Sequence, residues 1–417
     1  MTSTGSPIAE RASTPVVVTM ALAQFGLFVG LLAPVTVSLA IKTQTLVPAD
    51  RAAAVNGNIL AVAALFALVG NPVFGRLSDR TLSRFGRRRP WMIGGAVVFV
   101  GAMLIVALAG SVPVLLAGWC LAQLAGNAVL APLLATIADQ VPTEHRGSVS
   151  ANVGVMQNLG ILAAAYIAAW FVDNLVALFV VPGLIALVLV AVYCLVLPDR
   201  PVEQRPDAGG WLALLRTFWV DPRRHPDFGW AWLSRFLVFL AYFLFISFRL
   251  FYLQQQVGLS TEDAAATLAL GVLLFTIAVV VTAKVGGWLS DRTGRRKIFV
   301  VASILISAAS FGLLGVTTTV PGFLLVEVLM GAGFGVYIAV DYALVIDVLP
   351  DRDNSAKDLG VMNIANALPQ SLAAALGGVL LAIGTGGAAT NYPALFIGAL
   401  VIGVLGALAI VPIRSVR

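Results

Sequence analysis

The chain has 417 residues, 59% of them hydrophobic and only 11% charged, with a formal net charge of +6. A soluble domain carries about 45 to 50% apolar and about 25% charged residues, so this composition excludes a water-soluble fold. At roughly 20 apolar residues per crossing there is room for about twelve membrane helices.

In chain order, spans are expected near 16–40, 52–74, 90–110, 112–139, 146–172 and 174–197, then 229–253, 262–285, 298–318, 321–347, 357–384 and 391–412. Residues 1–15 are polar and lack the basic region, short apolar run and cleavage site of a signal peptide, so the first helix is expected to be retained. The spans divide into a bundle over 1–197, a linker over 198–228 and a second bundle over 229–417. The linker opens on a polar, proline-containing stretch, after which Trp211, Leu212, Leu214, Leu215, Phe218 and Trp219 with Arg216 suit a short helix in the headgroup layer. A loop packed on helix ends is the alternative. Cys120 and Cys194 lie inside spans and read as small hydrophobes, giving neither a disulfide framework nor a metal site.

The basic residues sit in short connections, so they read as orientation signals in a lipid bilayer and not as a nucleic-acid surface. With a cytoplasmic N-terminus, the tails and even-numbered connections collect 21 of the 26 Lys and Arg. Lys42 and Arg51 fall on the other side, and Arg235, Arg249 and Lys284 fall inside spans. The positive-inside rule therefore predicts cytoplasmic termini in a cell-membrane protein.

The halves repeat each other. Ser78-Asp79-Arg80-Thr81 leads to Gly86-Arg87-Arg88-Arg89, and Ser290-Asp291-Arg292-Thr293 leads to Gly294-Arg295-Arg296-Lys297, the first copy being longer by Leu82 to Phe85. Asp139 and Pro142 recur 208 positions later as Asp347 and Pro350. Repeats this long indicate duplicated bundles, since solenoid periods are shorter.

This doubled Asp-Arg-x-Gly-Arg-Arg loop resembles the signature of the major facilitator superfamily over the whole chain. The longer first copy, Gly75 to Pro90, is similar to the glycoside-pentoside-hexuronide and sucrose cation symporter branch, as are Gln24-Phe25-Gly26 with Pro34, and Asn363 with Leu368-Pro369-Gln370. The resemblance implies an all-α fold of twelve transmembrane helices in two six-helix halves, with helices 1, 4, 7 and 10 around a central cavity. A melibiose-type sodium site is doubtful, because helix 2 offers only Asn56, Asn58 and Asn71, and the middle of helix 4 offers Asn127, where that branch uses carboxylates.

The resemblance also implies that Asp79 faces the start of helix 11 near Lys357 to Gly360, and Asp291 the start of helix 5 near Gly147. A carboxylate at a helix N-terminus contributes about 0.3 to 1 kcal/mol when exposed, so these act as latches in a conformational gate. That gate comprises Asp79, Arg80, Arg87, Arg88, Asp139, Glu144, Arg146, Asp291, Arg292, Arg295 and Asp347. Neighbouring arginines maintain the charge excess, so loss of Arg84 or Arg88 alone is expected to be milder than loss of Asp79. The competing reading makes the loops topological signals only.

Charges inside spans cost about 2.5 to 3.5 kcal/mol, so they pair or line a wet cavity. Helix 7 carries Arg235 and Arg249, and helix 10 carries Glu327 and Asp341, each two fourteen apart, nearly four turns and thus on one face. Matching depths pair Arg235 with Asp341 and Arg249 with Glu327, for proton coupling or simply for holding helices together. Asp341 is the carboxylate expected to couple, with Glu327 next. Substrate candidates are Gln24, Gln123, Asn127, Asn152, Gln157, Asn158, Tyr242, Asn363, Asn366 and Gln370, with Phe243, Phe245 and Phe248 as an apolar platform. Polar side chains also glue helices together, by about 0.6 kcal/mol on average.

Gly331, Gly333 and Gly335 read as close-packing positions, and His145 and His225 have no partner at metal or triad spacing, so neither a cofactor nor an enzyme is expected. The leading reading is a monomeric, proton-coupled symporter of a sugar or sugar-like solute working by alternating access. An exporter of amphipathic compounds and a membrane sensor are the alternatives.

Overall fold

The computed structural model describes residues 13–142, 145–199, 220–349, 355–384 and 390–414. Twelve helices among them are long and apolar enough to cross a membrane, and the described residues contain no strand. They are α1 (Thr14–Gln44), α2 (Ala49–Asp79), α3 (Arg89–Leu108), α4 (Val112–Gln140), α5 (Arg146–Trp170), α6 (Leu175–Val196), α7 (Pro226–Gln255), α8 (Thr261–Thr293), α9 (Arg296–Val316), α10 (Val320–Asp347), α11 (Ser355–Ala382) and α12 (Tyr392–Ile410). Most of the linker lies outside the described residues, including the stretch expected to form an interfacial helix.

Local sequence explains where these helices begin and bend. Asn174, Ser260, Thr319 and Asn391 each cap a helix by accepting a hydrogen bond from the backbone N–H three residues on. Within α1, Pro34 opens a π-helical turn, Pro34–Ser38, in which the Leu39 N–H reaches the Pro34 carbonyl.

Helices α2 and α8 outrun the apolar spans expected from sequence, ending at Asp79 and Thr293, so Ser78-Asp79 and Ser290-Asp291 sit on terminal helical turns. The left-handed Gly294 (φ 64°) ends α8, and its counterpart Gly86 (φ 93°) shapes the longer loop after α2.

The chain forms two compact units, Met1–Lys42 with Leu65–Asp207, and Thr43–Ala64 with Ala208–Arg417. In unit 1, α1 packs on α5 and α6, and α3 on α4 and α6; in unit 2, α7 packs on α11 and α12, and α9 on α10 and α12. Adding six to each helix number converts the first set into the second, so the sequence repeat is a repeat of packing.

One boundary differs from a division at the linker: the end of α1 and the first part of α2 belong to unit 2. Gly57 explains the attachment. A Cβ there would stand 2.7 Å from the Ala374 carbonyl oxygen of α11 and 3.2 Å from the Phe248 ring of α7.

Small residues bring α10 close to its neighbours. A Cβ on Gly331 or Gly335 would lie 2.5 Å from the backbone carbonyl of Phe275 or Val279 on α8, and one on Gly333 would lie 2.7 Å from that of Ser303 on α9. In lipid, where apolar burial does not drive helices together, such backbone approach supplies the association. Gly335→Leu should therefore lower stability by about 1 to 3 kcal/mol through overpacking. Gly101→Leu, at a position with open space around it, should stay within about 0.5 kcal/mol. Thermal unfolding of the purified protein in detergent checks the contrast.

Candidate functional site

Unit 2 encloses four charges in two pairs. Arg235 donates from Nε and Nη2 to Asp341 Oδ2 at 2.9 and 2.5 Å, and Arg249 donates from Nη1 to Glu327 Oε1 at 2.9 Å. Fourteen-residue spacing places both arginines on one face of α7 and both carboxylates on one face of α10. All four are buried, at 8% exposure for Arg235, 4% for Arg249, 1% for Asp341 and 0% for Glu327.

The pairs are not equivalent. Tyr337 stands beside the Arg235–Asp341 pair, one turn from Asp341, and neither partner has a buried side-chain atom left unsatisfied among the described residues. In the other pair, Arg249 Nε and Glu327 Oε2 are both buried without a partner. The Arg249 guanidinium also lies 5.2 Å from the centre of the Phe245 ring, within cation–π range.

An aromatic layer lies between the pairs. Tyr242 stacks on Phe334 at 4.2 Å and 7°, Phe275 lies 6.1 Å from Tyr242, and Phe239 meets Tyr242, Phe334 and Tyr337 edge-on. Phe243 joins the partly exposed side of this layer, whereas Phe245 and Phe248 are buried.

The arginine loops are tied within their own units. Arg88 donates to Asp139 Oδ2 (3.0 Å) and Ser78 Oγ (2.6 Å) and pairs with Asp79 (2.6 Å), while Arg87 pairs with Asp139 at 2.6 Å. Asp199, just beyond α6, accepts the backbone N–H groups of Arg88 and Arg89 at 2.7 and 2.9 Å, and any Cβ on Gly86 would collide with its carboxylate. The Arg89 guanidinium also donates to the Leu197 carbonyl.

The second copy keeps part of this arrangement. Arg296 pairs with Asp347, as Arg88 does with Asp139, and Lys297 Nζ donates to the carbonyls of Val411 (2.5 Å) and Ile413 (2.9 Å) at the end of α12. Asp291 is exposed and has no ion pair among the described residues; Arg80 and Arg295 are exposed too, and Arg292 lies over the Trp288 ring. Glu144 lies outside the described residues, as do the side chains of Arg146, Lys357 and Asn363.

The amide candidates scatter. Gln24 is fully buried in α1 with both amide atoms unpartnered. Asn127 accepts from Asn71 Nδ2 at 3.2 Å and donates to the carbonyl of Gln123, itself buried, at 2.9 Å. Asn152 and Asn158 are exposed, the latter bonded to the Gly154 carbonyl of its own helix, and Gln157, Asn366 and Gln370 are half-buried.

Sequence reasoning missed Ser78 and Asp199, and also a neutral network at the far end of α7. There Gln44 donates to Gln254 at 2.6 Å, Gln254 to Thr261 at 3.0 Å and Gln255 to the Ala49 carbonyl at 3.1 Å, while Thr390 and Tyr392 donate to Gln255 Oε1. The run Gln254-Gln255-Gln256 at a span's end was the available signal.

The model of the Major Facilitator Superfamily matches residues 14–286 and 265–416. The chain belongs to that superfamily. It is thus a multi-pass membrane protein. It is 28% identical over 293 residues to a triacylglyceride transporter of Mycolicibacterium hassiacum (58% of this chain, 54% of that one) and 26% identical over 289 residues to a glucose transporter of Staphylococcus epidermidis (61% and 63%). The matches thus span between about half and two thirds of these relatives' lengths. Among solved structures, a nucleoside transporter superposes with a TM-score of 0.76 at 13% identity, covering 95% of this chain and 99% of the other, a likeness of fold. Three different cargoes on one superfamily fold leave the substrate to the site itself.

Arg88 departs from the expectation that its loss is mild. Its guanidinium is buried, and its removal breaks bonds to Asp79, Asp139 and Ser78 at once, although Arg87 still holds Asp139. Arg88→Ala should therefore lower stability by about 2 to 3 kcal/mol. Exposed Arg84, whose only described contact is with the adjacent Phe85 ring, should tolerate Ala within about 0.5 kcal/mol. Thermal unfolding in detergent ranks the two.

Proposed function

We propose that the protein is a proton-coupled symporter of a sugar or sugar-like solute, working by alternating access of halves 1–197 and 229–417 joined by the linker 198–228. The observation that carries this reading is the pair of buried Arg–carboxylate contacts between α7 and α10. Ionisable groups enclosed at membrane depth mark ion pathways and relays, and a carboxylate that exchanges an arginine for a proton links protonation to conformation.

The sugar assignment draws on the amide cluster Asn71, Asn127 and Gln123 and unpartnered Gln24, which supply hydroxyl partners, and on the glucose transporter among the relatives. The transporter acts as a monomer in the cell membrane, with both termini cytoplasmic, where the arginine loops meet the positive-inside rule. Asp79 and Asp291 serve as gate latches, Asp79 being held by Arg88 in this conformation.

The aromatic layer around Tyr242 and Phe334 favours a second reading, proton-driven export of amphipathic compounds, since a flat apolar platform suits such solutes.

Purified protein in liposomes decides between them. A sugar from a panel should accumulate when the uptake side is made acidic, and should not without the gradient. Movement of cationic amphiphiles alone, against the proton flow, would establish export instead, and no movement of any solute would favour a sensor. Asp79→Asn should slow uptake more than it weakens equilibrium binding; equal losses in folded protein would remove the latch.

A further inference from the structure

We infer that Glu327, not Asp341, is the group that takes up and releases the proton, and that Arg235–Asp341 is a fixed clamp between α7 and α10. The inference deepens the proton-coupled reading and rests on it.

Bond arithmetic separates the two carboxylates. Asp341 receives two guanidinium N–H groups, both at Oδ2, so neutralising it would weaken two charge-assisted hydrogen bonds at once, against one at Glu327. Glu327 receives one, at Oε1, and its Oε2 faces no donor among the described residues. An ionised carboxylate enclosed with half its acceptor capacity unused carries a desolvation penalty that a proton on Oε2 removes, while the Oε1 contact to Arg249 persists. Arg249 has a place to stay when its partner is neutral, over the Phe245 ring.

The surroundings are sparse in competing charge. Of the helices packed against α10, α7 brings Arg249 and Tyr242 toward Glu327. The facing stretch of α8 brings Gly271 and contains no titratable residue between Leu268 and Val279. The facing stretch of α9 offers only the hydroxyls of Ser303, Ser307 and Ser310. A Cβ on Gly271 would press on the Glu327 stem, 3.0 Å from Cγ and 3.4 Å from Cδ, so the missing side chain lets α8 close over the acid. Full enclosure of Glu327 means that exchange awaits a conformational change, which is the condition for coupling.

Infrared difference spectroscopy on the purified protein, stepped between about pH 5 and pH 9, reads protonated carboxyl groups directly. A titrating carboxylic C=O band is expected in wild type and in Asp341→Asn, absent in Glu327→Gln, and present but shifted in Glu327→Asp and Gly271→Ala. In liposomes, Glu327→Gln should lose accumulation driven by a pH gradient while still exchanging solute, and Glu327→Asp should recover part of that accumulation. Asp341→Asn should lose thermal stability and reduce both modes together. Loss of the band in Asp341→Asn instead, its absence from wild type, or pH-driven accumulation by Glu327→Gln would each overturn the assignment. A Glu327-dependent band in a wild type that accumulates no solute in response to pH would leave the protonation site standing and remove the proton-coupled function. If Glu327→Gln does not fold, the band shifts in Glu327→Asp and Gly271→Ala decide alone, and an unshifted band in both refutes the assignment.

Discussion

Unit 2 depends on holding four ionisable groups at membrane depth. Each isolated charge would cost about 2.5 to 3.5 kcal/mol on insertion scales, and pairing on adjacent helices offsets that cost only where the hydrogen bonds are complete. Completeness is unequal here: among the described residues neither Arg235 nor Asp341 has a stranded atom, the unpartnered hydroxyl there belonging to neighbouring Tyr337, whereas Arg249 and Glu327 have one each. The stacked rings of Tyr242 and Phe334 lie between the pairs and keep their surroundings apolar, which strengthens a satisfied pair and penalises an unsatisfied one. The same protein environment thus favours one pair and penalises the other.

Close helix approach is the precondition. Gly331 and Gly335 bring α10 against the α8 backbone, Gly333 brings it against α9, and Gly271 accommodates Glu327 from the α8 side. A side chain at any of these would move α10, and with it both carboxylates, relative to arginines fixed on α7. The glycines therefore set electrostatics through distance.

Much of this was legible in the sequence, for identifiable reasons. The doubled arginine loop gave away the repeat, apolar run lengths gave twelve spans, and fourteen-residue spacing showed that the charges of α7 and α10 each share a face. What stayed hidden depends on tertiary partners. Hydropathy treated Ser78-Asp79 and Ser290-Asp291 as loop, although helix continues through them because Arg88 satisfies Asp79 and Gly294 ends α8. Asp199 lies 111 residues from the N–H group of Arg88 that it accepts, and nothing in its neighbours announces this. Arg88 looked replaceable among six loop arginines because burial does not show in a composition. Asp341 and Glu327 looked alike because a sequence lists acids and not the bonds they make.

The two ends of the helices use different chemistry, and the difference has consequences. At the loop end, Arg87, Arg88, Asp79 and Asp139 form an ionic network in unit 1, with Arg296 and Asp347 its reduced counterpart in unit 2. Apart from buried Arg88 these groups are partly exposed, so ionic strength screens them, over about 8 Å at physiological salt. At the far end of α7, Gln44, Gln254, Gln255, Thr390 and Tyr392 connect through neutral amides and hydroxyls. Neutral hydrogen bonds of this kind contribute about 0.5 to 1.5 kcal/mol each and do not respond to salt or to proton concentration near neutrality. Changing ionic strength therefore acts on the arginine-loop networks of each unit and spares the neutral network at the far end of α7, so salt separates the two kinds of contact.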